Sequence, residues 1–517
     1  VPEAASFLEC PEFTIRCLID FAAPIAMSSD LLPMTDPAAT EMHSETSRHP
    51  AGSLAELLAV ALPLIASSGS QCVMNVTDRM FLTWYSQESL AAVLPSGMLH
   101  WSLISLAFGM CQYANTFVAQ YEGAKQKERV AASVWQAAYI AIFAGLLLSS
   151  AGFASEAMFQ WIGHSPDVAV QEADYFRVLA FGSVAPVLAT AMSTFFSGRG
   201  QTAVVMWVNL LGATTNIVFD YGLIFGVGPF PELGIQGAAI ATVLGSVAQV
   251  IAYAALIFRT NSRQTYGTWA NRGWDAGLVR RFLKFGFPAG LHMFVDVAGF
   301  AIFMLLIGKL GKTELAATNL AFNLNSLAFI PMLGLGIAIS TLVGHRIGEG
   351  RPELAIKTTW NAFAISSIYM GFFAAIYVLV PDVIVRPYLA NAKENISGLQ
   401  EQIAILLRFV ALYSFFDAMA IVFGSAVRGA GDTRFALVFS FMSCWLLMVG
   451  PTWWLWHFEG GSLVGSWWAC SAYVLVLGLG FLARFQAGHW KSMSVIEATA
   501  IETNAEPNPD VMIVEHM

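Results

Sequence analysis

Apolar stretches of bilayer-crossing length, repeated twelve times, constrain this chain more than any other feature. In hydrocarbon, every backbone N–H and C=O must find its partner within the segment, so such runs fold as helices. They fall at 54–84, 90–120, 130–153, 170–197, 203–226 and 235–259, then at 285–308, 315–345, 357–380, 403–427, 435–456 and 463–486. A basic, aromatic segment, 260–284, separates the two groups of six. Hydrophobic residues are 56% of the chain and charged residues 12%, about half the charged share of a soluble domain. The class expected is an all-α polytopic membrane protein with twelve transmembrane helices.

The organisation follows. Residues 1–52 form an N-terminal tail too broken to span and without the basic start of a signal peptide. The chain opens on Val, which points to a mis-set start, with Met34 or Met42 as the true beginning. An N-lobe (53–259), a linker (260–284), a C-lobe (285–486) and an acidic cytoplasmic tail (487–517), disordered from residue 492 on, come after it. The net charge of −9 reflects the tails more than the membrane body and implies no nucleic-acid partner. Cysteines at 10, 17, 72, 111, 444 and 470 show no metal-ligand spacing; four lie in apolar spans, as packing residues. Lys and Arg crowd the even-numbered loops (Lys125, Lys127, Arg129; Arg199; Arg263, Arg272, Arg280, Arg281, Lys284; Arg346, Arg351; Arg428, Arg434). The odd-numbered loops hold only Lys309, Lys312, Arg386 and Lys393. That bias places both termini in the cytoplasm.

The two groups of six are copies. At an offset of 225, Pro63 meets Pro288, Gly109 meets Gly334, Gly123 meets Gly348 and Trp135 meets Trp360. At an offset of 231, Arg177 meets Arg408 and Gly198-Arg-Gly-Gln-Thr meets Gly429-Ala-Gly-Asp-Thr. Six is an even number, so the repeats share one orientation and are related by an axis along the membrane normal, with a cavity between them. What both copies keep is needed by the fold. The membrane acids are not kept: Asp78 faces Phe303, Asp296 faces Gln71, Asp417 faces Pro186, and Asp220 falls near Pro451.

Those acids are the candidate site. A carboxylate inside a span costs roughly 3 kcal/mol on insertion scales and is retained for a reason. Asp78 in span one, with Asn75 nearby, and Asn216 and Asp220 in span five reach similar heights toward the outer side. There they offer a seat for a cation or proton. Pro63 removes a backbone hydrogen bond and lets span one bend around them. Against this, Asp78 beside Arg79 also reads as a cap at the span end. His292 and Asp296 share one face of span seven, and Tyr413 and Asp417 one face of span ten. Two midplane carboxylates in the C-lobe suit a shared proton, Na⁺ or a lipophilic cation. A hydrogen-bonded acid that fixes helix packing is the plainer reading of each, and His292 equally reads as a packing residue. Trp453, Trp454, Trp456, Trp467 and Trp468 read as an interfacial belt. Hydrolase triads, a P-loop and paired metal ligands are absent from the sequence, so an ion gradient must drive any uphill transport.

The chain resembles the multidrug and toxic compound extrusion (MATE) family, most closely its NorM-type bacterial branch. The likeness covers residues 54–486. It rests on Leu62-Pro63 with Asp78, Ser89-Leu-Ala-Ala, Asn216-Ile-Val-Phe-Asp220-Tyr-Gly-Leu-Ile and Gly234-Ile-Gln-Gly-Ala-Ala-Ile-Ala. Phe294-Val-Asp296, Val343-Gly-His-Arg-Ile-Gly-Glu and Arg428-Gly-Ala-Gly-Asp-Thr complete it. The resemblance implies a V-shaped, two-lobe architecture and export of amphipathic or cationic drugs in exchange for Na⁺ or H⁺. It implies cation or proton coupling at Asp78, Asn216, Asp220, Asp296 and Asp417, where relatives of the NorM branch commonly have Glu at the position of Asp296. It implies substrate contact at Tyr413, Asp417, Asp296 and His292. No cofactor beyond the coupling ion is expected, and Na⁺ would sit at Asp296 and Asp417. Partners are small organic molecules and membrane lipids, and the transporter is a monomer in the plasma (inner) membrane. A lipid or lipid-linked oligosaccharide flippase is the alternative; it would want a cationic cavity. A membrane-embedded glycosyl polymerase would want long outer loops, and these are short.

Overall fold

The computed structural model describes residues 49–162, 165–389, 396–458 and 460–497. The start at Met34 or Met42, Cys10, Cys17, Lys393 and the tail beyond Glu497 lie outside these residues. Among the described residues there is no strand. Among the same residues, eleven helices are long and apolar enough to cross a membrane, or up to twelve if one bent pair is a single span.

In the N-lobe, span one is α1 (Leu54–Tyr85) and span two is α2 (Gln87–Gln112) continued by α3 (Ala114–Gly123). Next come α4 (Lys127–Ser149) with α5 (Ser155–Ile162), then α6 (Pro166–Phe181) with α7 (Val184–Ser197). The lobe closes with α8 (Thr202–Phe225) and α9 (Ile235–Ile257). A short helix, α10 (Thr260–Tyr266), leads to the C-lobe: α11 (Ala276–Gly308), α12 (Lys312–Gly348), α13 (Pro352–Leu379), α14 (Pro381–Leu389) and α15 (Ile396–Ala430). The last two spans are α16 (Thr433–Ser443), a π turn (Cys444–Val449) and α17 (Gly450–Phe458), then α18 (Leu463–Gln486).

Four departures from expectation have identifiable physical causes. The expected linker 260–284 is largely helical. Asp275 caps α11 by accepting the Leu278 N–H at 3.0 Å, and Arg129 donates to it at 2.6 Å. The backbone N–H first, then Arg129, hold the Asp275 carboxyl below the usual range, so its contribution to stability is lost as pH falls. Span four is bent by 41° between α6 and α7. Pro186 has no N–H for the Gly182 carbonyl, which instead takes the Ala185 N–H at 3.1 Å. Its repeat mate is Asp417, and there α15 runs unbroken. Trp467 leaves the expected belt: it is fully buried and donates its Nε1–H to Thr318 at 3.2 Å. Finally, the tail expected to be disordered is ordered up to Glu497, because Trp490, Val495 and Ile496 are apolar enough to bury.

The lobes pack mate against mate. Gln120 donates to the carbonyl of Gly429 at 3.1 Å, and its mate His345 bonds through Nε2 to the carbonyl of Gly198, the mate of Gly429, at 2.7 Å. A Cβ at Gly123 would collide with the His345 carbonyl, and one at its mate Gly348 with the Gln120 carbonyl. Helix backbones touch there because neither position carries a side chain. Asn115 adds a bond to Thr341 at 2.9 Å, and Tyr113 one to the Arg428 carbonyl at 2.9 Å. Such reciprocal contacts are what a two-fold-like axis between the halves produces.

Every hydrogen bond between the lobes among the described residues lies at the end carrying the Lys and Arg excess. The segment after α18 reinforces that end. Gln120 Oε1 accepts the Val495 N–H at 2.9 Å, Tyr121 donates to Glu497 at 2.7 Å, and Arg281 donates to the Val495 carbonyl at 3.1 Å. Arg346, which reads in the sequence as a loop charge, is instead inside α12 and buried. It donates to the fully buried Glu56 of α1 and to both oxygens of Glu349 at 2.8 and 2.9 Å. Glu56 also accepts the Gly52 N–H at 2.6 Å. Breaking one side of a buried ion pair strands the other charge. Arg346→Gln is therefore expected to destabilise the purified protein by about 3–5 kcal/mol, read by SDS or guanidinium titration, with Glu56→Gln in the same chain restoring most of the loss.

Candidate functional site

Each lobe holds two carboxylates, and in the N-lobe they face each other. In the N-lobe, α1 and α8 pack along their length, and α9 packs on α8. Gly245 of α9 permits that contact: a Cβ there would meet the Gly212 carbonyl at 2.8 Å and Asn216 Cβ at 3.2 Å. This brings together Asp78, Asn216 and Asp220 as expected from their heights. Asp78 does not cap the helix, because α1 continues for two more turns to Tyr85. Asn216 and Asp220 are both 0% exposed. The Asp78 and Asp220 carboxyls lie within hydrogen-bonding reach of each other.

The polar balance of this cluster is one-sided. Both Asp220 oxygens, Asp78 Oδ1 and Asn216 Oδ1 are shut away and receive no N–H or O–H from the described residues. The Asn216 amide donates to Thr242 at 3.4 Å. Buried acceptors are normally satisfied. Two facing carboxyls without donors can bond to each other only through a proton or cation held between them. Tyr175 of α6, buried, lies within electrostatic range of both acids, and Arg79 within range of Asp78. Tyr175 and Thr242 were not singled out from the sequence. Nothing along the chain marks them, since their role depends on which helix lies beside α8.

In the C-lobe, Asp296 of α11 and Asp417 of α15 gather around α18. Tyr473, buried on α18, is within electrostatic range of both; Cys470 is near Asp417 and Cys444 near Asp296. His292 bridges two helices. Its Nε2 meets Ser440 Oγ of α16 at 2.9 Å, and its Nδ1 lies 3.3 Å from Asp296 Oδ2. With both ring nitrogens engaged, His292 orients Asp296. The Asp296 side chain keeps 35% of its surface accessible, yet its Oδ1 has no partner among the described residues. Tyr413 sits one turn from Asp417 but is only 3% exposed, packed among the lobe's apolar side chains. It shapes the wall behind Asp417 in this conformation. Pro63 lies inside α1, where the Ala59 carbonyl loses its usual donor.

A prediction separates the N-lobe pair from a structural role. Asp220→Asn places an N–H donor against Asp78, so the melting temperature at neutral pH should hold or rise. A fall of more than a few degrees in a detergent thermal melt would show that the second carboxyl supports the fold.

Comparison with known proteins locates the arrangement. The MatE family model matches residues 63–222 and again residues 288–454, so each block begins at the proline of a repeat's first helix. A Thermotoga maritima protein named "Probable multidrug resistance protein NorM" is 25% identical over 85% of this chain and 94% of its own length. A Burkholderia vietnamiensis protein named "Multidrug resistance protein NorM" is 27% identical over 85% and 94%. Among solved structures, an outward-facing multidrug resistance MATE family transporter of the MOP superfamily superposes with a TM-score of 0.79, at 20% identity, over 87% of this chain and 99% of that one. A MOP superfamily transporter from Pyrococcus furiosus, described as having a binding pocket of reverse polarity that suggests a different function, gives 0.77 at 21% identity over 87% and 99%. Twofold matching along the chain, in register with the internal repeat, shows that this protein belongs to the MatE family.

Proposed function

We propose that this protein is a secondary antiporter that exports amphipathic or cationic drugs in exchange for Na⁺ or H⁺. The observation that carries the reading is the Asp78–Asp220 pair, two facing carboxyls whose buried oxygens have no protein donor. The names of the NorM relatives support a multidrug cargo. The basic end is taken as cytoplasmic, with both termini there, in the plasma (inner) membrane. Because the hydrogen bonds between the lobes among the described residues all lie at that end, this conformation suits a cavity open to the outside. An entering cation neutralises the carboxyls of both lobes and shifts the equilibrium toward the opposite-facing state. Cargo then competes for the same negative charge, centred in the C-lobe on Asp296 and Asp417. Coupling requires the ion to bind one state more tightly than the other.

The flippase alternative calls for a cationic chamber to receive a pyrophosphate. The charged groups that converge inside the lobes are four acids, Asp78, Asp220, Asp296 and Asp417, against two arginines, Arg79 and Arg428, which favours a cationic cargo.

Dye efflux from proteoliposomes tests the reading, first under a Na⁺ gradient alone and then under a pH gradient alone. One gradient should drive efflux and the other should not. Asp417→Asn and Asp78→Asn should each fold normally and fall to the protein-free background. Full efflux by either variant removes that residue from the coupling mechanism. Glycolipid transport without dye efflux would select the flippase.

A further inference from the structure

We infer that the crevice between α11 and α16, at the basic end, is a binding site for an anionic phospholipid. A cavity of about 500 Å³ opens there, lined by Arg280, Arg281, Lys284 and Arg434. That volume lies in the range of small-ligand clefts, about 300–1,000 Å³. Four cations around one space repel each other unless an anion joins them. Arg281 is partly engaged, by the Val495 carbonyl at 3.1 Å and by Glu497 at 3.8 Å. Arg280, Lys284 and Arg434 are exposed and pair with no carboxylate among the described residues.

Below the cations, both helices turn apolar on the same face. Arg280 and Lys284 stand over Phe287, with Leu283 beside them; Phe287 and Leu283 are exposed. Arg434 stands over Val438, Phe441 and Trp445 at the spacing of one helical stripe, and all three are exposed. The two stripes lie side by side, since α11 packs on α16 and His292 bonds Ser440 across the contact. A ring of cations above two apolar stripes matches a negatively charged headgroup above acyl chains.

An excess of Lys and Arg at span ends is ordinary in the cytoplasmic leaflet, and the internal repeat tests that explanation. The mates of Leu283, Phe287 and Val438 are Leu58, Leu62 and Trp207, so apolar stripes recur in the N-lobe. The mates of Arg280, Arg281, Lys284 and Arg434 are Ala55, Glu56, Ala59 and Ala203. The same crevice in the same orientation therefore carries none of the four cations in the N-lobe. Topology and lipid exposure account for the stripes and not for the charges.

The test uses the full-length protein, delipidated and reloaded from mixed phosphatidylglycerol and phosphatidylcholine, with retained lipid counted by native mass spectrometry. Wild type should retain phosphatidylglycerol over phosphatidylcholine by about tenfold or more. The combined Arg280→Gln, Lys284→Gln, Arg434→Gln variant should lose most of that preference. A control with Arg263→Gln, Arg351→Gln and Lys357→Gln changes net charge equally and should keep it. Lipid-free protein is also melted with phosphatidylglycerol or with inorganic phosphate, and only the lipid should stabilise it. Equal preference in wild type and the crevice variant would overturn the site. So would equal loss in the control, which would mean diffuse surface charge, or equal stabilisation by phosphate, which would mean a free-anion site.

Discussion

The reciprocal bonds from Gln120 to Gly429 and from His345 to Gly198 fasten the two lobes to each other at one end. Each lobe has its own apolar clusters and could satisfy its own backbone. What joins them is an apolar cluster drawn from both lobes, from Leu57 and Phe117 to Leu335 and Phe423, together with a polar seam at one end where glycines let helix backbones touch. Because the seam uses side chains that differ between mates, its two sides are alike in geometry and unlike in chemistry. A Gln amide on one side and an imidazole on the other need not release together.

The carboxylates follow the opposite rule. They sit where the repeat is broken, on helices whose mates carry Phe, Gln or Pro. The glycines that both repeats keep let the lobes come together, and the acids stand at positions where only one repeat has them. The Pro186–Asp417 pair shows the trade within one position. Where the N-lobe has proline the span is broken and bent, and where the C-lobe has Asp417 the helix runs unbroken and a carboxyl enters the lobe.

Much of this was legible from the residues alone, because its causes are local or repeated. Apolar length marked the spans, and a constant offset revealed the duplication. Rise per residue brought Asp78 and Asp220 to one height, which the packing of α1 on α8 then turned into contact. What stayed hidden depends on distant partners. Arg346 looked solvated because it lies near a span end, yet Glu56, its partner, is 290 residues away. Trp467 looked interfacial until Thr318 took its N–H. The acidic composition beyond Gln486 masked Trp490, Val495 and Ile496, three apolar residues enough to order the segment against the lobes.

That ordered segment bears on how the molecule is made. Ser494 to Glu497 follow the last span, yet they grip Gln120 and Tyr121 in the second. During synthesis the early helices enter the bilayer long before their fastening exists. The closed end can therefore form in full only after the last span has been made. Until then the nascent lobes share a seam that is incomplete, a window in which quality-control factors could meet a transporter not yet able to shut.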